Sequence, residues 1–188
     1  MAPRPPNARG GPAKPCRPSI LRQMGTPLHG PQNHQDRNRG ITRDVDLAGD
    51  IAKARAVRKL MGDDFPLAFD SNNGYSVQGA IRVGRALEEL GYVWFEEPVQ
   101  HYHVESVAKV AAALDIAVSA GEQEYTLQGI KRLIEAGVDI VQPDIVKTGG
   151  FTGLGDMAVL ARAYGVDLSR TRRSPRSATP PTCTSWPR

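Results

Sequence analysis

Residues 92–98 read Tyr-Val-Trp-Phe-Glu-Glu-Pro. Gly91 precedes four bulky, β-favouring residues, and two acids and a proline close them. The pattern predicts a short buried strand, Tyr92 to Phe95, that ends in carboxylates. It recurs on both sides. Upstream, Pro66-Leu-Ala-Phe-Asp70 reads as a strand ending in Asp70. Downstream, Ile116-Ala-Val-Ser-Ala120 runs into Gly121-Glu122, and Asp139-Ile-Val-Gln142 runs into Pro143-Asp144.

Helical patterns fill the gaps. From Asp44 to Met61 apolar residues keep one face, acids come early and bases late, and Gly62 ends the run. Ser76 caps a helix to about Leu90, and Val104 to Leu114 forms the next. Thr126 caps another to about Ala136, Gly153 to Tyr164 makes a fifth, and Val166-Asp-Leu168 opens a further strand. Alternating helices and mostly apolar strands point to a parallel sheet covered on both faces. Two architectures fit this α/β pattern, a doubly wound open sheet and a (β/α)8 barrel. The units do not resemble one another enough to be a sequence repeat.

Charge sets the ends apart from this body. The 188-residue chain carries net +4. Residues 1–40 hold seven Lys/Arg against one acid, and 169–188 hold five Arg and no acid. Those ends contribute +6 and +5, so 41–168 carries −7. Twelve of the 15 prolines and both cysteines, Cys16 and Cys183, lie in the ends. The sequence predicts a single domain over 44–168, with residues 1–43 and 169–188 as disordered basic segments. No apolar run reaches membrane-spanning length, and no apolar signal core follows the N-terminus, so a reducing cytoplasm is the expected compartment. Basic ends suit nucleic acid, but Trp186 is their one aromatic residue, so no stacking platform supports that partner.

Each predicted strand ends in an acid: Asp70, Glu96, Glu122 and Asp144. The gaps of 26, 26 and 22 residues each match one β-α unit, so the acids are expected at equivalent strand ends. One acid after a strand is commonplace; four in phase are not. In a barrel those ends form the active-site face. Carboxylates gathered there repel one another unless a cation neutralises them, and hard oxygen donors suit Mg2+. Asn72 stands two residues past Asp70, where it can bond a carboxylate or substrate. Glu97 reads as a salt-bridge partner or a loop anion beside Pro98. His101 and His103 follow the Glu96 strand and are candidates for the mouth of the site. Lys147 is either a substrate contact or a rim lysine. Gly149-Gly150 lacks the GxGxxG spacing of a phosphate loop.

In combination and order, Asp70-Ser-Asn72, Trp94-Phe-Glu96-Glu97-Pro98, Gly121-Glu122 and Pro143-Asp144-Ile-Val-Lys147-Thr-Gly149-Gly150 resemble the enolase superfamily. More narrowly they resemble the C-terminal barrel of the mandelate racemase and muconate lactonizing enzyme family. The resemblance implies a partial (β/α)8 barrel of about five β-α units. It implies Asp70, Glu96 and Glu122 as Mg2+ ligands, with a small carboxylate as substrate. The reaction class it implies is removal of the proton α to that carboxylate, and the wording around Glu96 and Glu122 is most similar to the acid-sugar dehydratases. Racemase or cycloisomerase chemistry belongs to the same family. Asp144 would be half of a His–Asp dyad. From their positions beside these acids, apart from the resemblance, Lys147 is taken as a catalytic candidate and Asn72, His101 and His103 as substrate-binding candidates. Homo-oligomers are common in the family.

The sequence also departs from the family pattern. A Lys-x-Lys is expected one unit before Asp70, near residues 38–46, where only Arg37 and Arg39 have the spacing. A guanidinium stays protonated and serves poorly as a base. The dyad histidine is expected near Thr171, in Ser169-Arg-Thr-Arg-Arg173, which has none. These breaks lead us to expect out-of-frame ends around a gene fragment, with the 188-residue chain inactive alone. Translating the flanking DNA in the other frames tests this. The competing expectations are a non-catalytic remnant that binds a cation or partner subunit, and a nucleic-acid binder acting through its basic ends.

Overall fold

The carboxylate-ended runs are strands, and the periodic stretches between them are helices. The computed structural model describes residues 46–169 and the backbone of a two-residue strand at Leu28–His29. In chain order the elements are β1 (Leu28–His29), α1 (Leu47–Met61), β2 (Ala68–Asp70), α2 (Val77–Glu89), β3 (Trp94–Glu96) and α3 (Val104–Ala113). There follow β4 (Ala117–Ala120), α4 (Leu127–Glu135), β5 (Ile140–Val141), α5 (Gly150–Tyr164) and β6 (Asp167–Leu168). Three helices start where a side-chain oxygen takes an otherwise orphaned amide. Asp46, Ser76 and Thr126 accept from Gly49, Gly79 and Gly129 at 2.8, 3.0 and 3.0 Å. Asp46 therefore sets the start of α1, two residues past Asp44. Helix α5 begins at Gly150, earlier than Gly153, because Gly149 turns the chain with a left-handed φ of 80°.

All strand pairs are parallel, and the sheet order is β1-β2-β3-β4-β5-β6. A doubly wound sheet reverses its order at a switch point. Here the order never reverses, and each helix packs on the next along one side. The fold is α/β, an arc of a TIM-type barrel. The strand beside β2 is Leu28–His29 rather than a segment within 38–46. Spacing failed there because the β1–α1 connection is longer than a standard unit's. Residues 30–45 lie outside the described part, as do Cys16, Cys183, Trp186, Arg37, Arg39 and Thr171.

The sheet buries both faces. Toward the helices Phe69, Phe95, Val118 and Val141 pack with Val83, Leu87, Val110, Leu114, Ile130 and Leu133. Phe69 meets Phe95 and Tyr92 edge-on, with centroids 6.0 and 6.5 Å apart. Gly84 permits the close α2–α3 approach, since a Cβ there would stand 2.3 Å from a Leu114 methyl. On the concave face Ala68, Trp94 and Ile140 form a second, smaller cluster. Trp94 and Glu96 alternate with Phe95, so the residue after the Phe95 core position faces the concave side with its carboxylate.

Opposite the carboxylate end, Arg58 fastens the loops. It is 6% exposed, and its guanidinium donates to the carbonyls of Gly62, Phe65, Leu90 and Gly91 at 2.7–3.0 Å and to Asp63 at 3.3 Å. It also lies over the Tyr92 ring, 5.5 Å from the centroid. Among the described residues no helix is long and apolar enough to cross a membrane.

Candidate carboxylate site

The acids leave the sheet at two levels. Asp70 and Glu96 are register partners on β2 and β3, but Glu96 pairs with Ser119, not Glu122. Glu122 lies two residues past the end of β4, and Asp144 three past the end of β5. Equal spacing thus gave equivalent positions only for the first pair. The loops after β4 and β5 carry the other two. Gly121 makes this exit with a φ of 127°, where a Cβ would crowd the Gln142 amide at 3.2 Å.

The first pair is buried. Asp70 and Glu96 are each 5% exposed. Asp70 Oδ1 accepts from the Asn72 amide at 2.8 Å. Glu96 Oε2 accepts from Gln142 Nε2 at 3.3 Å and, weakly, from Trp94 Nε1 at 3.4 Å. Burial, then the Asp70 charge, push the Glu96 carboxyl up to about 7; Glu122 adds to the rise and the two hydrogen bonds oppose it. Glu97 is a fourth member. Burial, followed by Glu122, Asp70 and Glu96, pushes its carboxyl up to about 8. Its Oε2 accepts from Asn73 Nδ2 at 2.6 Å, while buried Oε1 has no partner among the described residues.

The other predicted residues divide. Lys147 donates to Gln123 Oε1 at 2.7 Å across the β4 and β5 loops. His101 sits on the same rim: burial holds its imidazole below the ordinary range, Lys147 adds to that, and Glu124 opposes it. His103 is exposed, caps α3 with backbone only, and meets the Tyr102 ring at a tilt of 54° with centroids 4.5 Å apart. Asp144 Oδ1 accepts from the Val146 amide at 2.9 Å, and its carbonyl accepts from Thr148 Oγ1 and the amides of Lys147 and Thr148. Asp144 thus shapes the turn into α5, and among the described residues no histidine bonds to it. Sequence reading passed over Asn73, Gln123, Gln142 and Ser119, whose buried hydroxyl has no partner among the described residues. Polar residues just past strand ends were the available signal, but only the acids among them stood out by charge.

Among the described residues, no three His, Cys, Asp or Glu side chains stand in metal-coordinating arrangement. What is present is donor chemistry: buried carboxylate oxygens in one shared field. That chemistry fits a hard divalent cation.

A parallel barrel arc with carboxylates at its strand ends defines an α/β-barrel protein with an acidic face. Residues 28–172 match the family described as enolase C-terminal domain-like, and the chain belongs to that family. It is 34% identical over 155 residues to L-talarate/galactarate dehydratase of Salmonella typhimurium, covering 76% of this chain and 39% of that enzyme. A variant of that enzyme, liganded with Mg and L-glucarate, superposes with a TM-score of 0.65 at 34% identity over 73% of this chain and 37% of its own. D-galactarolactone cycloisomerase of Agrobacterium fabrum is 39% identical over 120 residues, 63% of this chain and 32% of the relative. A mandelate racemase/muconate lactonizing protein from Paracoccus denitrificans, complexed with magnesium, has a TM-score of 0.68 and 65% identity over 69% of this chain and 35% of its own. The chain therefore spans less than two fifths of the length of each of these relatives.

Proposed function

We propose that this chain is the barrel portion of a Mg2+-dependent enzyme that removes the proton α to a carboxylate, with a sugar acid as substrate and dehydration as outcome. The observation that carries this reading is geometric: Asp70 and Glu96 end neighbouring strands as register partners, both carboxylates only 5% exposed, with the charge of Glu122 acting on Glu96 from the next loop. Those three residues would hold the cation. When bound, Mg2+ supplies positive charge against the anion that develops at the substrate carboxylate. Gln142 and Trp94 orient Glu96 by its Oε2. The Asn72 amide fixes Asp70, and Lys147, held by Gln123, presents a cation at the rim for an anionic group of the substrate. The dehydratase and cycloisomerase relatives, and the Mg and L-glucarate bound to one of them, support the substrate class.

The test is titration of the 188-residue chain with Mg2+ by calorimetry, beside Glu122→Gln. Saturable binding by the wild type, weakened at least about tenfold in the variant, is expected. Equal binding by both would sink the ligand assignment. A sugar-acid panel with Mg2+ tests activity separately. The expected result is no turnover by the isolated chain, because no lysine lies between the Leu28–His29 strand and α1, and residues 169–173 hold no histidine.

A further inference from the structure

Backbone strain gathers at one place. The three non-glycine residues with left-handed φ among the described residues are Asn72 at 48°, Asn73 at 62° and Glu97 at 41°. Asparagine tolerates that region; glutamate does not, and holds it only when its surroundings over-determine it. Glu97 is over-determined. Its amide donates to the Ser119 carbonyl at 2.9 Å, and its carbonyl accepts from Ser71 Oγ and the Asn73 amide, both at 2.8 Å.

Asn73 supplies the rest. Its carboxamide is read unambiguously, because Oδ1 accepts from the His101 amide at 3.0 Å and so turns Nδ2 to Glu97 Oε2 at 2.6 Å. Its carbonyl accepts from Gln100 Nε2 at 3.1 Å. One residue of the β2–α2 loop thus makes four hydrogen bonds to residues 97–101 of the β3–α3 loop. Glu97 is 4% exposed, and its second oxygen, Oε1, has no partner among the described residues.

We propose that Asn73 is a positioning residue: it locks Glu97 by one carboxylate oxygen and the His101 segment by its amide, leaving Glu97 Oε1 for a hydrogen-bond donor that arrives with the ligand of the carboxylate face. The donor would be a cation-bound water or a substrate hydroxyl. The inference rests on the proposed cation site only where a cation serves as probe.

Asn73→Gly and Asn73→Asp test it in the full chain. Glycine accepts the left-handed backbone and keeps both backbone hydrogen bonds, so it removes the carboxamide alone. If Asn73 were only a turn residue, Asn73→Gly would be silent. We expect it to weaken Mn2+ binding, measured by calorimetry, by about tenfold, the scale for a residue that orients a ligand shell. It should also speed exchange of the His101 amide, read by NMR, by a similar factor. In Asn73→Asp the introduced carboxylate still accepts from the His101 amide but no longer donates to Glu97 Oε2. That variant should keep the slow amide while losing Mn2+ affinity. Wild-type affinity and exchange in Asn73→Gly would overturn the inference. A wild-type chain that binds no Mn2+ would instead overturn the cation site, and an unchanged His101 amide in Asn73→Gly would still decide against Asn73.

Discussion

Replacing Arg58 tests what holds the closed end of the arc. Four of its five hydrogen bonds are 3.0 Å or shorter, and all go to carbonyls at the ends of α1 and α2 and the loop into β2. Arg58→Met keeps an aliphatic side chain but removes every donor and the guanidinium that lies over Tyr92. A net contribution of about 1 kcal/mol per good bond gives about 4 kcal/mol, the carbonyls being left without a donor. Domains are stable by about 5–15 kcal/mol, so this is a large fraction. In urea, with a slope of about 2 kcal/mol/M, the midpoint should fall by about 2 M. Arg58→Lys separates charge from geometry. An ammonium keeps the charge but cannot span the Leu90–Gly91 and Gly62–Phe65 carbonyls together, so about half of the loss should remain. Circular dichroism in urea measures all three proteins. A loss below about 1 kcal/mol in Arg58→Met would refute the reasoning, because that is the scale of a single bond.

Other perturbations address the packing and the acidic face. Tyr75 donates to the fully buried Asp50 at 2.7 Å. Tyr75→Phe should therefore cost about 1–3 kcal/mol by the same unfolding assay, and an unchanged midpoint would count against that bond. Gly84→Ala drives a methyl into Leu114, which is itself fully buried, so about 1–3 kcal/mol of destabilisation is expected despite alanine's helix preference, and Leu114→Ala added to it should relieve part of the clash. The acids give a pH dependence. Glu96 and Glu97 are held at about 7 and about 8 against an ordinary 4.5, so they bind protons more tightly folded than unfolded. Their contribution to stability is full below pH 4.5 and is lost as pH rises toward 8. In EDTA, Tm should fall across that range, and Mg2+ at about pH 8 should restore part of it; a Tm that climbs steadily from about pH 5 to about 8 in EDTA would contradict the field assigned to these groups.

The fold was legible because its signals are local and agree with one another. Ser76 and Thr126 cap the helices their sequence predicts, and Phe69, Phe95 and Val118 fill the helix-facing core that their apolar runs imply. The choice between open sheet and barrel was not legible from periodicity, since both use the same units; only strand order decides it. The position of β1 was not legible either. A strand of two residues carries almost no pattern, and its loop to α1 departs from the unit length that the other gaps share.

The candidate site divides along the same line. Asp70 and Glu96 could be found from sequence because a strand end fixes the residue that follows the last core position, and charge marks it. Glu122 and Asp144 could be found as residues but not placed, because loop geometry after Gly121 and Pro143 sets where they stand. Asn73 could not be found at all. Its role comes from hydrogen bonds to residues 24 to 28 positions away, and nothing in Asn72-Asn73-Gly74 states which asparagine turns toward Glu97. Strain makes it visible: a glutamate at a φ of 41° needs restraint from outside its own strand, and the residue that supplies the restraint is the one sequence reading passed over.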